Sequence, residues 1–249
     1  MKRVSIVLFA LCLPAFINGC HLTQAEAKSS SGFENISQAS VAKLRNTGTV
    51  QGENAGDLSV QIEIKAEPHK DNATAPGDFE TDFKIRVMRK GQPVSDASVT
   101  VQAYKGPAVK LRFDEDEYEA EIKGYYGAYR VDITAGAERV EGVYLASPAI
   151  VTFSSHKHQE RVSAGSDLKL SWKADNPSAD RTQIEGDEFR AVTLKKGASS
   201  YTVSAASLDN DEENEFKITR VSEMELPGLT NGSSFMIEVE NELELRLKR

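Results

Sequence analysis

The amino-acid sequence predicts an all-β fold with two tandem antiparallel β-sandwich domains. The first indication is an alternation of apolar and polar residues that begins at Asp57 and continues through most of the chain. A period of two places one face of a strand on a core and the other in water. The second indication is the spacing of turn residues, which separate short strands at intervals of about 8 to 12 residues, as in antiparallel sandwiches.

The first twenty residues have the order of a secretory signal peptide. Lys2 and Arg3 give a cationic start, an apolar run covers residues 4 to 17, and small residues precede Cys20. A membrane span needs about 20 consecutive apolar residues, so this run is too short for a permanent transmembrane anchor. We therefore expect the segment to be removed from the mature protein.

Residues 17 to 20, Ile-Asn-Gly-Cys, resemble the lipobox of bacterial lipoproteins. The resemblance implies a signal peptide of residues 1 to 19, cleavage before Cys20, a diacylglyceryl group on its sulfur and an acyl chain such as palmitate on its new amino group. Several acyl chains anchor a protein far better than one. His21 stands where an aspartate would retain such a lipoprotein at the inner membrane, so the resemblance implies the outer membrane of a bacterial envelope. The alternative is an ordinary signal peptide with a cysteine near its cleavage site.

Composition limits the partners of the mature body. Removal of Lys2 and Arg3 reduces the 30 basic residues to 28 against 38 acidic ones, so the net charge is −10. Nucleic acid and anionic lipid surfaces are poor partners for such a protein. The two cysteines are Cys12, inside the leader, and Cys20, so no intramolecular disulfide is expected and a real hydrophobic core is required.

Residues 20 to 56 are rich in serine, glutamine, alanine, asparagine and glycine, which predicts a lipidated, flexible tether. One short helix is expected within it, from Ser37 to Asn46, because Ser37 can cap it and Val41 and Leu44 share a face. Such a helix would be marginal on its own.

Residues 57 to 146 are expected to form the first sandwich. Residues 91 to 101, GQPVSDASVTV, resemble the G-x-P-V-x-x-A-x-V-x-V opening of transthyretin-like and carboxypeptidase-regulatory-like domains. The segments that begin at Tyr118 and Tyr129 resemble later strands of that family, and the match covers residues 80 to 145. The resemblance implies a sandwich with an adhesive, structural or accessory role. The alternating residues Val109, Leu111 and Phe113 are expected to share one strand.

Residues 147 to 249 are expected to form the second sandwich, with its boundary at Ser147. Residues 164 to 172 resemble the second strand of fibronectin type III and related immunoglobulin-like modules, which makes Trp172 a core residue and a sugar-stacking role the alternative. The final strand alternates apolar residues with four glutamates. We expect these glutamates to face water on a sheet edge, and we expect Asn241 to mark a bulge or bend.

Few residues have the arrangement that catalysis or metal binding requires. His156 and His158 would lie on one side of an extended segment and bind a transition metal weakly with a carboxylate, although a solvated loop is the preferred interpretation. Asp209, Asp211 and Glu213 offer alternate oxygen ligands for calcium without the spacing of an EF-hand, and a solvated hairpin loop is again preferred. No nucleophile elbow, zinc-protease helix or phosphate loop occurs, so neither an enzyme nor a cofactor is expected.

Three hypotheses about function follow. The first is a non-catalytic binding or adhesion module, anchored to the membrane through lipid on Cys20, that binds an envelope protein, a polymer or a cell surface. Loops 66 to 78 and 206 to 215 at the sandwich ends would make the contacts. The second is an accessory subunit of an envelope secretion, motility or transport complex. The third is a carbohydrate-active hydrolase, which would need paired carboxylates about 5 to 10 Å apart across a cleft.

Overall fold

The computed structural model describes residue 33 and residues 36–174, 179–208 and 213–248. Within these ranges the chain forms one short α-helix, three single-turn 3-10 helices and eighteen strands, which confirms the all-β prediction. The elements are α1 (Gln38–Val41), β1 (Arg45–Gln51), β2 (Leu58–Pro68), β3 (Phe79–Arg89), β4 (Gln92–Pro93), β5 (Ser98–Ala103), β6 (Ala108–Lys110), β7 (Arg112–Asp114), β8 (Glu117–Lys123), β9 (Ala128–Ala135), β10 (Glu138–Ala146), β11 (Val151–Phe153), β12 (Glu160–Ser163), β13 (Leu168–Ala174), β14 (Arg181–Gly186), β15 (Phe189–Thr193), β16 (Ser200–Val203), β17 (Glu213–Glu225) and β18 (Ser234–Lys248), with 3-10 turns at Ala55–Asp57, Pro76–Asp78 and Ala205–Ser207.

The strands form three sheets. One has the order β1-β10-β9-β5-β6, a second has the order β11-β13-β16, and the largest runs β15-β14-β17-β18-β2-β3-β8-β7 with β12 beside β18 and β4 beside β3. Most neighbours are antiparallel, as expected, but β18 runs parallel to both β2 and β12. Two pairs therefore differ from the antiparallel prediction. Both β2 and β12 lie on the side of β18 away from β17, and both run in the same direction as β18.

The first sandwich packs the five-stranded sheet against β18, β2, β3 and β8. The alternation in β3 works as predicted, since all its odd-numbered residues from Phe79 to Val87 are buried. Thr81 is the polar member of that series, and its hydroxyl donates to the carbonyl oxygen of Gly124 at 2.8 Å. The core facing it across the sandwich is drawn from β5, β9 and β10 and contains Val99, Val101, Tyr129, Val131, Ile133, Val140, Val143 and Leu145.

The second sandwich packs the three-stranded sheet on β14, β17 and the second half of β18. Trp172 on β13 is 5% exposed, and its indole nitrogen donates to the carbonyl oxygen of Ala198 at 3.1 Å. The prediction that Trp172 is a core residue is confirmed. The other large members of this core are Phe153, Leu168, Leu170, Ile184, Phe216, Ile218, Leu243 and Leu245.

Strand β18 belongs to both sandwiches. Phe235, Ile237 and Val239 lie in the first core, and Leu243 and Leu245 lie in the second. Residues 57 to 146 therefore do not supply every strand of their own sandwich. Leu226, which precedes β18, is also buried in the first core, and Ile150 packs against that core, so residues beyond 147 contribute to both cores.

Two expectations about β18 are wrong. The ladder with β17 keeps one register from Glu213–Arg246 to Glu225–Ser234, so Asn241 lies in an unbroken strand rather than at a bulge. The strand is also central, not an edge. Glu240 is only 7% exposed because Lys65 and Lys217 on the two flanking strands reach its carboxylate at 3.3 and 3.5 Å.

The proposed tether is ordered over much of its described length. A helix is present as α1, but it ends at Val41 and not at Asn46 because β1 begins at Arg45, and the Ser37 side chain makes no capping hydrogen bond. Val41 is buried in a small cluster with Phe33, Tyr104 and Ala128. Strand β1 pairs with β10 from Arg45–Leu145 to Gln51–Arg139. The expectation of a flexible segment reaching residue 56 is therefore wrong for β1, because backbone pairing compensates for its scarcity of bulky apolar residues.

The segment from residue 108 to 114 forms two strands instead of the single one that its alternation predicts. Leu111, between β6 and β7, is buried, and its N–H donates to the carbonyl oxygen of Val99 at 3.0 Å. The chain crosses here from the five-stranded sheet to the largest sheet. Among the described residues, no helix is long and apolar enough to span a membrane.

Candidate functional site

An open groove of about 620 Å³ lies beside the point where the chain crosses between the two sheets of the first sandwich. Its floor and walls come from β3, β6, β7 and β8. The lining is amphipathic, with apolar Phe83, Val109, Phe113 and Ala120 between charged residues of both signs, Asp82, Lys84, Lys110, Arg112, Asp114, Glu119 and Glu121.

The groove exposes an unpaired sheet edge. Strand β8 pairs with β3 from Tyr118 to Lys123, whereas β7 pairs only with residues 117 to 119. Residues 120 to 123 consequently have no strand neighbour on their second side among the described residues. This edge arises because β7 has only three residues after Leu111 brings the chain across. An unpaired edge presents backbone N–H and carbonyl groups that another chain can pair with.

Acidic groups on the β3–β8 surface repel one another. The pKa of Glu121 is raised because its carboxyl group shares a hydrogen bond with that of Glu80, and nearby negative charge adds to this effect. The pKa of Glu119 is raised in the same way by Glu117, although Glu117 also pairs with Arg86 at 3.0 Å. This wall of the groove therefore favours an approaching cation.

These paired carboxylates are the nearest approach to the arrangement that a hydrolase would need. They lie side by side along one sheet surface, where Glu119 is partly exposed and Glu121 is exposed. A glycosidase places its two carboxylates on opposite sides of the scissile bond. Of these pairs, only Glu119 and Glu121 line the groove, and Arg112 on β7 is paired in register with Glu119, so the pairs do not flank the groove in that way.

The loop from residue 66 to 78, expected as a free contact surface, is instead largely engaged in internal contacts. Asn72 bonds both backbone groups of Phe153, and its own N–H donates to the carbonyl oxygen of Glu242 at 2.6 Å. Ala73 is completely buried against Asn241. Glu67, His69, Lys70 and residues 74 to 77 are exposed. The expectation fails for residues 71 to 73, because this part of the loop fills a gap in the backbone pairing of β18.

The two histidines of the 156–158 segment do not share a side. This segment turns rather than extends, so the Nδ1 atom of His156 lies 3.4 Å from Glu160, while His158 contacts the carboxylate of Asp71. Glu244 on β18 completes a group in which one ligand atom from each of Asp71, His158 and Glu244 lies within 4.8 Å of the others. Sequence reasoning selected His158 but missed both carboxylates, because 87 and 86 positions separate them from it in the chain.

Several predicted residues lie outside the described part of the chain. Cys20, Asp209 and Asp211 are among them, so lipidation and calcium binding stay predictions. Glu213, the third calcium candidate, begins β17, and its carboxylate accepts a hydrogen bond from Arg246 at 3.2 Å. The contact loop expected at 206 to 215 contains residues 209 to 212, which are likewise outside the description.

No family model and no curated protein matches the chain. Among solved structures, a chimeric tandem of titin domains carrying a fibronectin peptide is 14% identical, with 76% of this chain and 97% of that chain covered and a TM-score of 0.25. The fibronectin(III)-like modules of Clostridium thermocellum CbhA are 15% identical, with 78% and 93% covered and a TM-score of 0.23. The all-β fold is thus established by the strand pairing itself.

Proposed function

We propose that the protein is a membrane-anchored, non-catalytic binding module of the bacterial envelope that captures an extended segment of a partner protein. The observation that carries this proposal is the open edge of β8 at residues 120 to 123, the first two residues of which line an amphipathic groove. An extended peptide adds to such an edge as one more strand, and main-chain hydrogen bonds supply much of the affinity.

The chemistry of the groove defines the segment that it would hold. Alternate side chains of an added strand point toward the core and away from it. Inward residues would cover Ala120 and Val109, which are only partly buried, and an outward basic residue would meet Glu121, with Glu119 next to it along β8. We therefore expect an extended partner segment that alternates apolar and basic residues.

The anchor is proposed from the sequence. Lipid on Cys20 would hold the body at a membrane, and His21 favours the outer membrane of the envelope. Residues 21 to 32, which precede the described fold, would be the link between lipid and body. Multiple acyl chains make such attachment stable.

A photo-crosslinking amino acid placed at Val109 or Ile122 in living cells tests the proposed groove. We expect one discrete adduct with an envelope protein, formed with residues from an extended segment of it. Charge reversal at the acidic wall, Glu119→Arg with Glu121→Arg, should reduce the adduct at least tenfold. Glu63→Arg is the matched control, because Glu63 is exposed on β2 and does not line the groove.

The outcomes distinguish the alternatives. An adduct that also forms when the crosslinker occupies Lys196, on the far sandwich, would contradict a specific groove. A stoichiometric adduct with a subunit of a larger assembly would favour an accessory subunit, whereas binding of a purified glycan that the charge reversal leaves unchanged would exclude peptide capture.

Intact-mass spectrometry of the membrane fraction tests the anchor. The native protein should begin at Cys20 and carry diacylglyceryl and acyl mass, and the Cys20→Ala variant should lack both. A native mass that begins elsewhere without lipid would exclude the lipoprotein assignment while leaving the groove proposal intact.

A further inference from the structure

We propose that Asp71, His158 and Glu244 bind a divalent transition-metal ion of the Zn²⁺ class. This site is independent of the proposed peptide groove. It would join three segments that are distant in sequence, namely the loop between β2 and β3, the turn before β12, and strand β18.

The site lies at an interruption in the pairing of β18. On one side of this strand, β2 pairs with residues 234 to 239 and β12 pairs with residues 245 to 248. Between these two ladders, the loop from β2 and the turn before β12 supply hydrogen bonds. Gln159 N–H donates to the carbonyl oxygen of Glu244 at 2.8 Å, and Glu244 N–H donates to the carboxylate of Asp71 at 3.1 Å.

These bonds fix the positions of the three ligands. Glu244 is held by the ladder with β17, in which it is opposite Glu215. Asp71 is held by its bond to the Glu244 N–H and by the neighbouring Asn72, which binds β18 and β11. Gln159, next to His158, has a φ of 57°, so the turn bends sharply at the point where it presents the imidazole.

The ligand set matches the preference of a borderline-soft cation. An imidazole nitrogen with two carboxylate oxygens is a known zinc donor set, at about 2.0–2.2 Å from the metal. Tetrahedral bonds of that length place ligand atoms about 3.4 Å apart, and here they lie within 4.8 Å of one another. Small side-chain rotations suffice, including one that opens the direct contact between His158 and Asp71.

The local charge also favours a cation. Among the described residues, neither Asp71 nor Glu244 has a lysine or arginine as an ion-pair partner, whereas the adjacent Glu242 pairs with Lys217 at 3.1 Å. Glu244 instead accepts a hydrogen bond from the neutral amide of Gln159 at 3.1 Å. Glu215, opposite Glu244, adds a further carboxylate. A divalent ion would neutralise this excess of negative charge.

The coordination sphere would be incomplete without solvent. Three protein ligands leave one position of a tetrahedral ion for water, and the His158 side chain is 45% exposed, which gives water and metal access. In this proposal the ion stabilises the junction of the two sandwiches, since any ligand that binds only the folded state raises its stability.

Zn²⁺ binding to the lipidated full-length protein, purified in detergent with a tag that lacks histidine, provides the test. Competition with a chromophoric chelator should show one saturable Zn²⁺ site per chain. The variant His158→Gln should weaken binding at least tenfold, and Glu244→Gln should do the same. Two histidine variants serve as matched controls that should leave affinity unchanged, His156→Gln in the same turn and His69→Gln in the same loop as Asp71.

Thermal unfolding with and without Zn²⁺ separates a lost ligand from a damaged fold. The wild-type protein should gain several degrees in Tm with excess Zn²⁺, and His158→Gln should lose that gain while its metal-free Tm stays near the wild-type value. Equal Zn²⁺ affinity in wild type and His158→Gln would overturn the proposal, as would equal weakening by His156→Gln or the absence of any saturable binding.

Discussion

The side-chain amide of Asn72 binds the backbone of Phe153 as a neighbouring strand would. Its nitrogen donates to the Phe153 carbonyl oxygen at 3.0 Å, and its oxygen accepts from the Phe153 N–H at 2.7 Å. Asn72 lies in a loop of the first sandwich and Phe153 lies in the second core. The pair therefore joins the two halves of the fold through a single side chain.

Substitution of Asn72 tests the strength of this link. Asn72 has a φ of 50°, a conformation that glycine adopts without strain, so Asn72→Gly removes the amide and keeps the backbone. Loss of partners for the Phe153 backbone should lower the free energy of unfolding by about 1 to 3 kcal/mol in urea denaturation. Asn72→Asp retains the acceptor but places a carboxylate oxygen against the Phe153 carbonyl oxygen, so it should also destabilise the protein. Equal stability of all three proteins would contradict the link.

Substitution of Asn241 should destabilise the protein more than substitution of Asn72. It is 1% exposed between the two cores, accepts from the Ala73 N–H at 2.9 Å and donates to the carbonyl oxygens of Ala73 and Val151 at 2.8 and 2.5 Å. Asn241→Leu continues the apolar series of β18 but leaves three buried backbone groups unsatisfied. We expect a loss of about 3 kcal/mol or more in unfolding free energy. Asn54→Leu, at an exposed site, should change it by less than about 0.5 kcal/mol; a stabilised Asn241→Leu protein would mean that apolar packing dominates.

Gly48 should be required for β1 to dock. It has a φ of +72°, and a methyl group there would lie 2.3 Å from the carbonyl oxygen of Glu141. Gly48→Ala should therefore release β1 from β10, seen as faster amide hydrogen exchange of residues 45 to 51 and new tryptic cleavage at Arg45. Gly56→Ala, where an added carbon meets nothing within 4 Å, is the control. Unchanged protection in Gly48→Ala would show that the strand adapts.

Tyr129 should make stability fall at high pH. Burial raises the pKa of its hydroxyl from 10.0 to about 12, despite hydrogen bonds with Thr81 and Tyr126. The folded state favours the neutral form of the Tyr129 hydroxyl. The free energy of unfolding therefore has its full value below pH 10 and falls by about 3 kcal/mol as the pH rises from about 10 to 12. Tyr129→Phe should show a correspondingly shallower decline in urea unfolding over this range; an identical decline would assign the effect to other groups.

The sequence predicts those structural features that depend on residues close to one another along the chain. Alternation identified β2, β3 and β9 and placed Trp172 inside, because a strand with one buried face alternates apolar and polar residues along its own sequence. It also predicted one strand through Leu111, where alternation persists although the chain changes sheets. Both sheets face the same core, so every second side chain still points inward after the chain crosses from one sheet to the other. The alternation therefore does not reveal the crossing.

The candidate sites depend on contacts that no local pattern contains. Asn241 reads as a defect in an apolar series, yet its amide pairs with backbone segments contributed by two other parts of the chain. Asp71 and Glu244 are far from His158 in the sequence and reach it only through the pairing of β2, β12 and β18. The open edge of β8 follows from the length of β7, which turn signals alone do not determine.

The position of β18 also determines when each half of the protein can finish folding during synthesis. A ribosome makes residues 57 to 146 long before residues 234 to 239, yet Phe235, Ile237 and Val239 fill the core between those earlier strands. Until they are made, the first sandwich lacks a central strand of its largest sheet and keeps apolar side chains exposed. The two halves therefore complete their folding only when one stretch of fifteen residues is present.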